Sequence, residues 1–188
     1  MLRHILLATL IAFSGLTAHA VTSSYLQDEE QIMPAGDRWT PFPWNFKNAQ
    51  PFPWSDIQGT WKVEQDSFIS YFSFKVIQQK NGVRQLKVKQ YDGESCRLLA
   101  TGVGIEKGQL VYAQMTSKSG KIYRVSLTAF KRSDSPQPPL QGNVYTESVM
   151  VLSIGELNQV SVEDMMHTQI LKVSSQLDQK SCVDDLKN

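Results

Sequence analysis

The sequence IQGTWKVEQ, residues 57–65, decides the fold of this chain. Its apolar residues recur at every second position, Ile57, Gly59, Trp61 and Val63, and polar residues fill the positions between them. A period of two predicts a strand with one buried face and one wet face. A glycine two positions before a tryptophan lets another backbone segment pass close by, because no side chain stands in the way.

Trp61 has two interpretations at this stage. It is either an ordinary core side chain of a strand near a sheet edge, or the plug of a small closed sheet. The second role requires a hydrogen-bond partner for the indole N–H. The sequence that follows favours the second role.

Turn residues interrupt the chain at near-regular intervals after this stretch. Asn81-Gly82 and Asp92-Gly93 are strong hairpin signals, because Asn, Asp and Gly tolerate positive φ. The alternation between such turns predicts eight strands, at residues 57–65, 68–79, 83–91, 95–105, 110–116, 121–130, 140–154 and 165–173.

The predicted fold class is all-β. Short connections make sequential strands pair antiparallel, and closure of the sheet removes its two open edges. We therefore expect an antiparallel up-and-down barrel of about eight strands, at residues 57–175. Such a barrel encloses either a packed core or one small ligand.

Residues 1–20 have the form of a signal peptide. Arg3 precedes a short apolar run, and Ala18-His19-Ala20 is a small-x-small cleavage site. The run is too short to span a bilayer, and no later stretch is long enough to be a transmembrane segment. No cysteine for a lipid anchor follows the expected cut, so we expect a soluble chain that is periplasmic or secreted.

Charge argues against one class of partner. Removal of residues 1–20 leaves 18 basic and 18 acidic residues. A net charge near zero, without a basic run, makes nucleic acid an unsuitable partner.

Residues 21–56 form a strap that is rich in proline and tryptophan. Pro41-Phe42-Pro43-Trp44 recurs ten residues later as Pro51-Phe52-Pro53-Trp54. Alternating prolines favour an extended, stiff backbone. The strap either packs on its own barrel or docks on a protein partner, in which case Trp44 and Trp54 are the candidate contact residues.

Cys96 and Cys182 are the two cysteines of the chain. In an oxidising compartment two cysteines usually pair, whereas the alternative is two free thiols. The bridge would tie the C-terminal tail, residues 176–188, to a strand in the first half of the barrel. The chain-entropy model gives a loop of this length about 4 kcal/mol of stabilisation.

Gly59-Thr60-Trp61, the run of about eight strands and the cysteine pair together resemble the lipocalins. More loosely they resemble the wider calycin group of small ligand-binding barrels. Lipocalins usually place an arginine of the last strand over the motif tryptophan, and the corresponding candidate here is Lys172. The barrel with its strap is also similar to bacterial inhibitors of secreted metalloproteases, which insert an N-terminal strap into the protease cleft.

The lipocalin resemblance implies a small hydrophobic ligand inside the barrel. Candidate lining residues lie on the predicted inner faces, and Glu147 is either a polar anchor for the ligand or a charge at the rim. The candidates are Trp61, Phe72, Phe74, Val125, Leu127 and Glu147.

Catalytic motifs are absent from the sequence. It has no Gly-x-Ser-x-Gly, Cys-x-x-Cys, His-Glu-x-x-His or phosphate-binding glycine loop. Once the signal peptide is removed, His167 is the one remaining histidine. With Met150, Met165 and Met166 it could bind copper(I), but methionine is also common in protein cores. We predict no metal, no cofactor and no enzymatic activity.

Two functions remain from the sequence. The first is an exported binding protein that holds a small apolar ligand in its barrel. The alternative is a protein-interaction or protease-inhibitor-like module that uses the strap and the barrel loops. Interior volume separates them, because a filled barrel leaves only the surface for binding.

Overall fold

A computed structural model describes residues 44–65, 68–135, 139–158, 161–177 and 179–185. The expected signal peptide, residues 1–20, and the first part of the strap, residues 21–43, lie outside these ranges. The described residues contain eight strands: β1 (Gly59–Gln65), β2 (Phe68–Gln78), β3 (Arg84–Asp92), β4 (Leu98–Lys107), β5 (Leu110–Ser117), β6 (Ile122–Lys131), β7 (Ser148–Glu156) and β8 (Met166–Ser174).

The strands form a closed antiparallel barrel. Each strand pairs with the next one along the chain, and β8 pairs with β1. The predicted all-β class and up-and-down architecture are therefore confirmed. Strand positions follow the sequence because apolar residues at period two face inward, as Tyr123, Val125 and Leu127 do in β6.

The predicted strand at 140–154 is wrong at its start. β7 begins eight residues later, at Ser148, because its partner β6 ends at Lys131, opposite that serine. The residues before β7 run beside the end of β8 instead. There the Val144 N–H donates to the Lys172 carbonyl oxygen over 2.9 Å.

Glycines act differently at the two strongest predicted turns. In the Asn81-Gly82 hairpin, Gly82 has a φ of +82°. Between β3 and β4 the left-handed residue is Cys96, with a φ of +53°, and not Gly93. Gly93 is required for another reason, since a Cβ at this position would collide with the backbone of Ile69.

The second copy of the strap tetrapeptide closes one end of the barrel. It leads into a short helix, α1 (Trp54–Ile57), directly before β1. Phe52, Trp54 and Ile57 are all buried in the barrel core. The Trp54 indole N–H donates to the Glu106 carboxylate over 3.3 Å, and the Arg84 guanidinium lies 5.2 Å from the centre of the Trp54 ring. This end of the barrel is thus sealed by the chain itself.

Trp44 of the first copy and the residues that follow it pack on the outside of the barrel. The Trp44 ring lies 4.9 Å from that of Phe130, and the Phe46 ring lies 5.0 Å from His167. Gln50 adds a backbone bridge to Ala129 of β6. The strap from residue 44 onward therefore packs on its own barrel, as one of the two sequence interpretations expects.

The C-terminal tail covers the outer face of β2 and β3 at the end of these strands that holds Tyr71 and Tyr91. It ends in a helix, α2 (Gln179–Asp185), and Cys182 of this helix is bonded to Cys96 with a Cα–Cα distance of 5.9 Å. The Tyr71 hydroxyl donates to the Asp185 carboxylate over 2.8 Å. The predicted disulfide is thus present, and it joins the tail to the loop before β4.

Neither described helix approaches the length and apolarity needed to cross a membrane.

His167 is the buried titratable group beneath the strap. Only 6% of its surface is exposed, and its Nδ1 lies 2.8 Å from the Ser153 hydroxyl oxygen. Burial lowers the pKa of His167, and the nearby Glu163 offsets part of this effect. In the folded protein the His167 side chain is therefore protonated at a lower pH than in the unfolded chain, where its pKa is about 6.5.

We predict that acid destabilises the wild-type protein more than a His167→Gln variant. Below a pH of about 6.5 the unfolded state binds more protons than the folded state, so the free energy of unfolding falls as the pH falls through the lowered pKa. Urea unfolding at a pH of about 7.5 and about 5.5 measures this difference. Equal losses in the two proteins would show that His167 is not held neutral.

Candidate binding site

The barrel interior is the first candidate site. Trp61, Phe72, Phe74, Val125 and Leu127 all belong to the buried core, and none is more than 1% exposed. The inner faces of three strands, β1, β2 and β6, bring these five side chains together, as the sequence alternation predicts. The sixth candidate lies elsewhere, because Glu147 is exposed and precedes β7.

Large side chains fill the space between these residues. Side chains that line a cavity large enough for water keep some accessible surface. However, the side chains of Tyr123, Leu86, Met115 and Met150 are each at most 1% exposed. Small residues lie beside large ones on neighbouring strands, and a Cβ at Gly102 of β4 would collide with the sulfur of Met115 on β5. Among the described residues, therefore, no ligand-sized cavity adjoins the predicted lining residues.

A polar network lies inside the barrel, at the end opposite α1. The Gln90 amide donates to the Ser70 hydroxyl over 3.0 Å, and that hydroxyl donates to the Tyr91 carbonyl over 2.9 Å. The Tyr123 hydroxyl donates to the Gln90 side-chain oxygen. Burial raises the pKa of Tyr123, so its hydroxyl keeps its proton and remains a donor. Sequence reasoning missed this network, although Gln90 continues the inward series of Leu86 and Val88.

Trp61 is held at the sealed end by two contacts. Its indole N–H donates to the Ile57 carbonyl over 2.7 Å. The Lys172 ammonium lies 5.7 Å from the centre of the indole and donates to the Asp56 carbonyl over 2.6 Å. Burial lowers the pKa of Lys172, and the charge of Asp56 opposes this shift. Lys172 thus occupies the place over Trp61 that the lipocalin resemblance assigns to an arginine.

The two tryptophans proposed as partner contacts are buried on their own barrel. Trp44 is 7% exposed and Trp54 is 8% exposed. Each would have to leave its site before it could touch a partner.

The residues considered as copper ligands do not converge. Met150 is in the core, whereas His167 lies under the strap on the outer wall. Met166 precedes His167 in β8 and so faces the opposite side of the sheet. Within the described ranges, no three His, Cys, Asp or Glu side chains are grouped as ligands of one metal ion.

The second candidate site is a groove of about 390 Å³ on the outside of the barrel. Val103, Ile105 and Leu157 line it with 47%, 54% and 44% of their surfaces exposed. Tyr112 completes the apolar floor, and Lys107 and Arg124 lie beside it. We call this site the outer groove.

The sequence contained a signal for the outer groove. In β4 the inward positions hold small residues, Gly102 and Gly104, and the outward positions hold Val103 and Ile105. In an ordinary strand the largest apolar residues occupy the inward positions, so the order in β4 is reversed.

No protein-family model, curated protein or solved structure matches this chain.

We predict that Trp61→Ala lowers the free energy of unfolding by roughly 3–5 kcal/mol, because truncating a large core residue leaves a cavity. The matched control is Tyr145→Ala, which removes an aromatic side chain that is 76% exposed. It should change stability by no more than about 1 kcal/mol. Urea unfolding measures both, and a loss below about 1 kcal/mol for Trp61→Ala would place this residue outside the core.

Proposed function

We propose that this chain is a binding protein without catalytic activity of its own, and that it engages a protein partner through the outer groove. The observation that carries the proposal is the exposure of Val103, Ile105 and Leu157 on one side of a barrel whose interior side chains are buried. Contiguous exposed apolar surface with a polar rim is typical of interaction sites.

The groove favours contact through side chains. Every described strand of the barrel has a neighbour on both sides. A partner therefore finds no free strand edge to extend, and β-strand addition is not open to it. The groove that Ile105 and Tyr112 line instead suits apolar side chains that project from a partner surface.

A ligand inside the barrel has less support. The lipocalin resemblance implies such a ligand, and the barrel architecture is compatible with one. However, Phe72, Phe74 and Leu127 fill the positions that would line its site. Since protein cores are close-packed, a ligand there would have to displace these side chains.

The proposal includes export. The form of residues 1–20 supports it, and so does the bond between Cys96 and Cys182. Disulfides persist mainly in oxidising compartments, which include the periplasm and the cell exterior. The partner should therefore be sought among exported or surface proteins.

We expect the wild-type protein to retain a specific partner from the periplasmic and secreted fractions of its source cells. The double variant Val103→Ser with Ile105→Ser should lose that partner, because both side chains line the outer groove. The double variant Val83→Ser with Leu140→Ser should keep it, since these apolar side chains are 48% and 52% exposed but do not line the groove.

Native mass spectrometry of the purified wild-type protein tests the competing function. The expected result is the mass of the protein alone. A retained small apolar molecule, together with partner capture that the groove variant does not change, would contradict the proposal and restore the barrel interior as the binding site.

A further inference from the structure

Lysines follow one another across the outer wall next to the outer groove. Lys75 of β2 lies directly opposite Lys87 of β3, and Lys89 is two residues further along the same strand. All three side chains are exposed. Lys87 in turn faces Val103, which lines the groove. We call these three lysines the lysine row.

The lysine row is not explained by stability. Like charges directly opposite each other on neighbouring strands destabilise a sheet. Within the described ranges, no carboxylate forms an ion pair with any of the three lysines. Such an arrangement is more readily explained by something that the lysines bind.

Charge is also segregated on this wall. The outward positions of β3, β4 and β5 hold Lys87, Lys89 and Lys107, and they hold no acidic residue. Yet the whole chain has a formal net charge of only +1. The side of the groove toward β3 is therefore locally positive, whereas the Glu163 carboxylate lies near Tyr112 on the groove floor, where burial and this carboxylate raise the pKa of that tyrosine.

We propose that the lysine row and the outer groove together bind an acidic protein surface. This inference rests on the proposed function and names the chemistry of the partner. Carboxylates of the partner meet Lys75, Lys87 and Lys89, while its apolar side chains enter the groove beside Val103 and Ile105. A polar, charged rim around an apolar centre is the usual composition of such an interface.

The shape of the wall favours a protein over a lipid membrane. Membrane-binding surfaces insert projecting aromatic and leucine side chains below the headgroups. Here the apolar residues, Tyr112 and Leu157 included, line a groove of about 390 Å³. A concave apolar surface receives side chains, which a protein partner supplies.

The test compares two charge reversals that change the net charge equally. The wall variant is Lys87→Glu with Lys89→Glu. The control is Lys47→Glu with Lys131→Glu, because both of these lysines are exposed and lie in the strap and at the end of β6. The probes are the partner that the wild-type protein retains and a random copolymer of glutamate and tyrosine.

At low salt the wall variant should bind both probes about tenfold more weakly than the control, because each reversal replaces an attraction with a repulsion. The difference should vanish near 1 M salt, where the Debye length is about 3 Å. Thermal unfolding checks the fold, and the wall variant should be no less stable than wild type, since it removes the repulsion between Lys75 and Lys87. The neutral pair Lys87→Gln with Lys89→Gln should give a smaller loss of affinity in the same direction.

Equal affinities of the wall variant and the control would overturn this inference. If Val103→Ser with Ile105→Ser still lost the partner, the proposed function would stand and only its acidic chemistry would fail. Binding to phosphatidylglycerol vesicles but not to the copolymer, with loss in the wall variant, would overturn the choice of a protein partner.

Discussion

Closure of the sheet between β1 and β8 is the constraint on which the rest of the structure depends. Gly59 makes it possible, because its φ is +137° and a Cβ there would collide with the Ser174 carbonyl oxygen. Trp61 then fills the sealed end, and Lys172 joins it to α1 through the Asp56 carbonyl. Without this closure two strands would expose unpaired backbone groups.

Once the sheet is closed, the interior forms the packed core, and the outer wall carries the surfaces that are covered by other segments or exposed. The inner faces bury their largest side chains against glycines and alanines. One end of the barrel is closed by α1, and the Gln90 network lies at the other end. The strap covers one part of the outer wall, and the disulfide-bonded tail covers another. The outer groove and the lysine row lie on a part of the outer wall, mainly along β2 to β5, where no described residue of the strap or the tail lines the groove, and this is why we assign binding to it.

Local patterns predicted most of the fold. Alternation placed the strands, the glycine before Trp61 pointed to the close approach that closes the barrel, and the even cysteine count gave the disulfide. The start of β7 could not be predicted in this way, because it depends on where β6 ends and not on the apolar residues after Leu140. The turn after β3 was predicted, but its conformation was not, since Cys96 and not Gly93 has the positive φ.

The candidate site was harder to predict, because inner and outer apolar residues look alike in a sequence. Phe72 and Leu127 were expected to line a cavity, and only their burial shows that they fill it. Val103 and Ile105 were visible as alternating apolar residues, but their exposure depends on the direction of the neighbouring glycines. Lys75 and Lys87 are twelve positions apart in the chain, and it is the strand register that places them opposite each other.

The central claim is that the outer wall binds and the interior does not. Methyl-resolved NMR during titration with the retained partner tests it most directly, because the chain carries methyl groups on both faces of the sheet. We expect shifts of the Val103, Ile105 and Leu157 methyl signals, and none for Val125 and Leu152. Shifts confined to the two interior residues would contradict it.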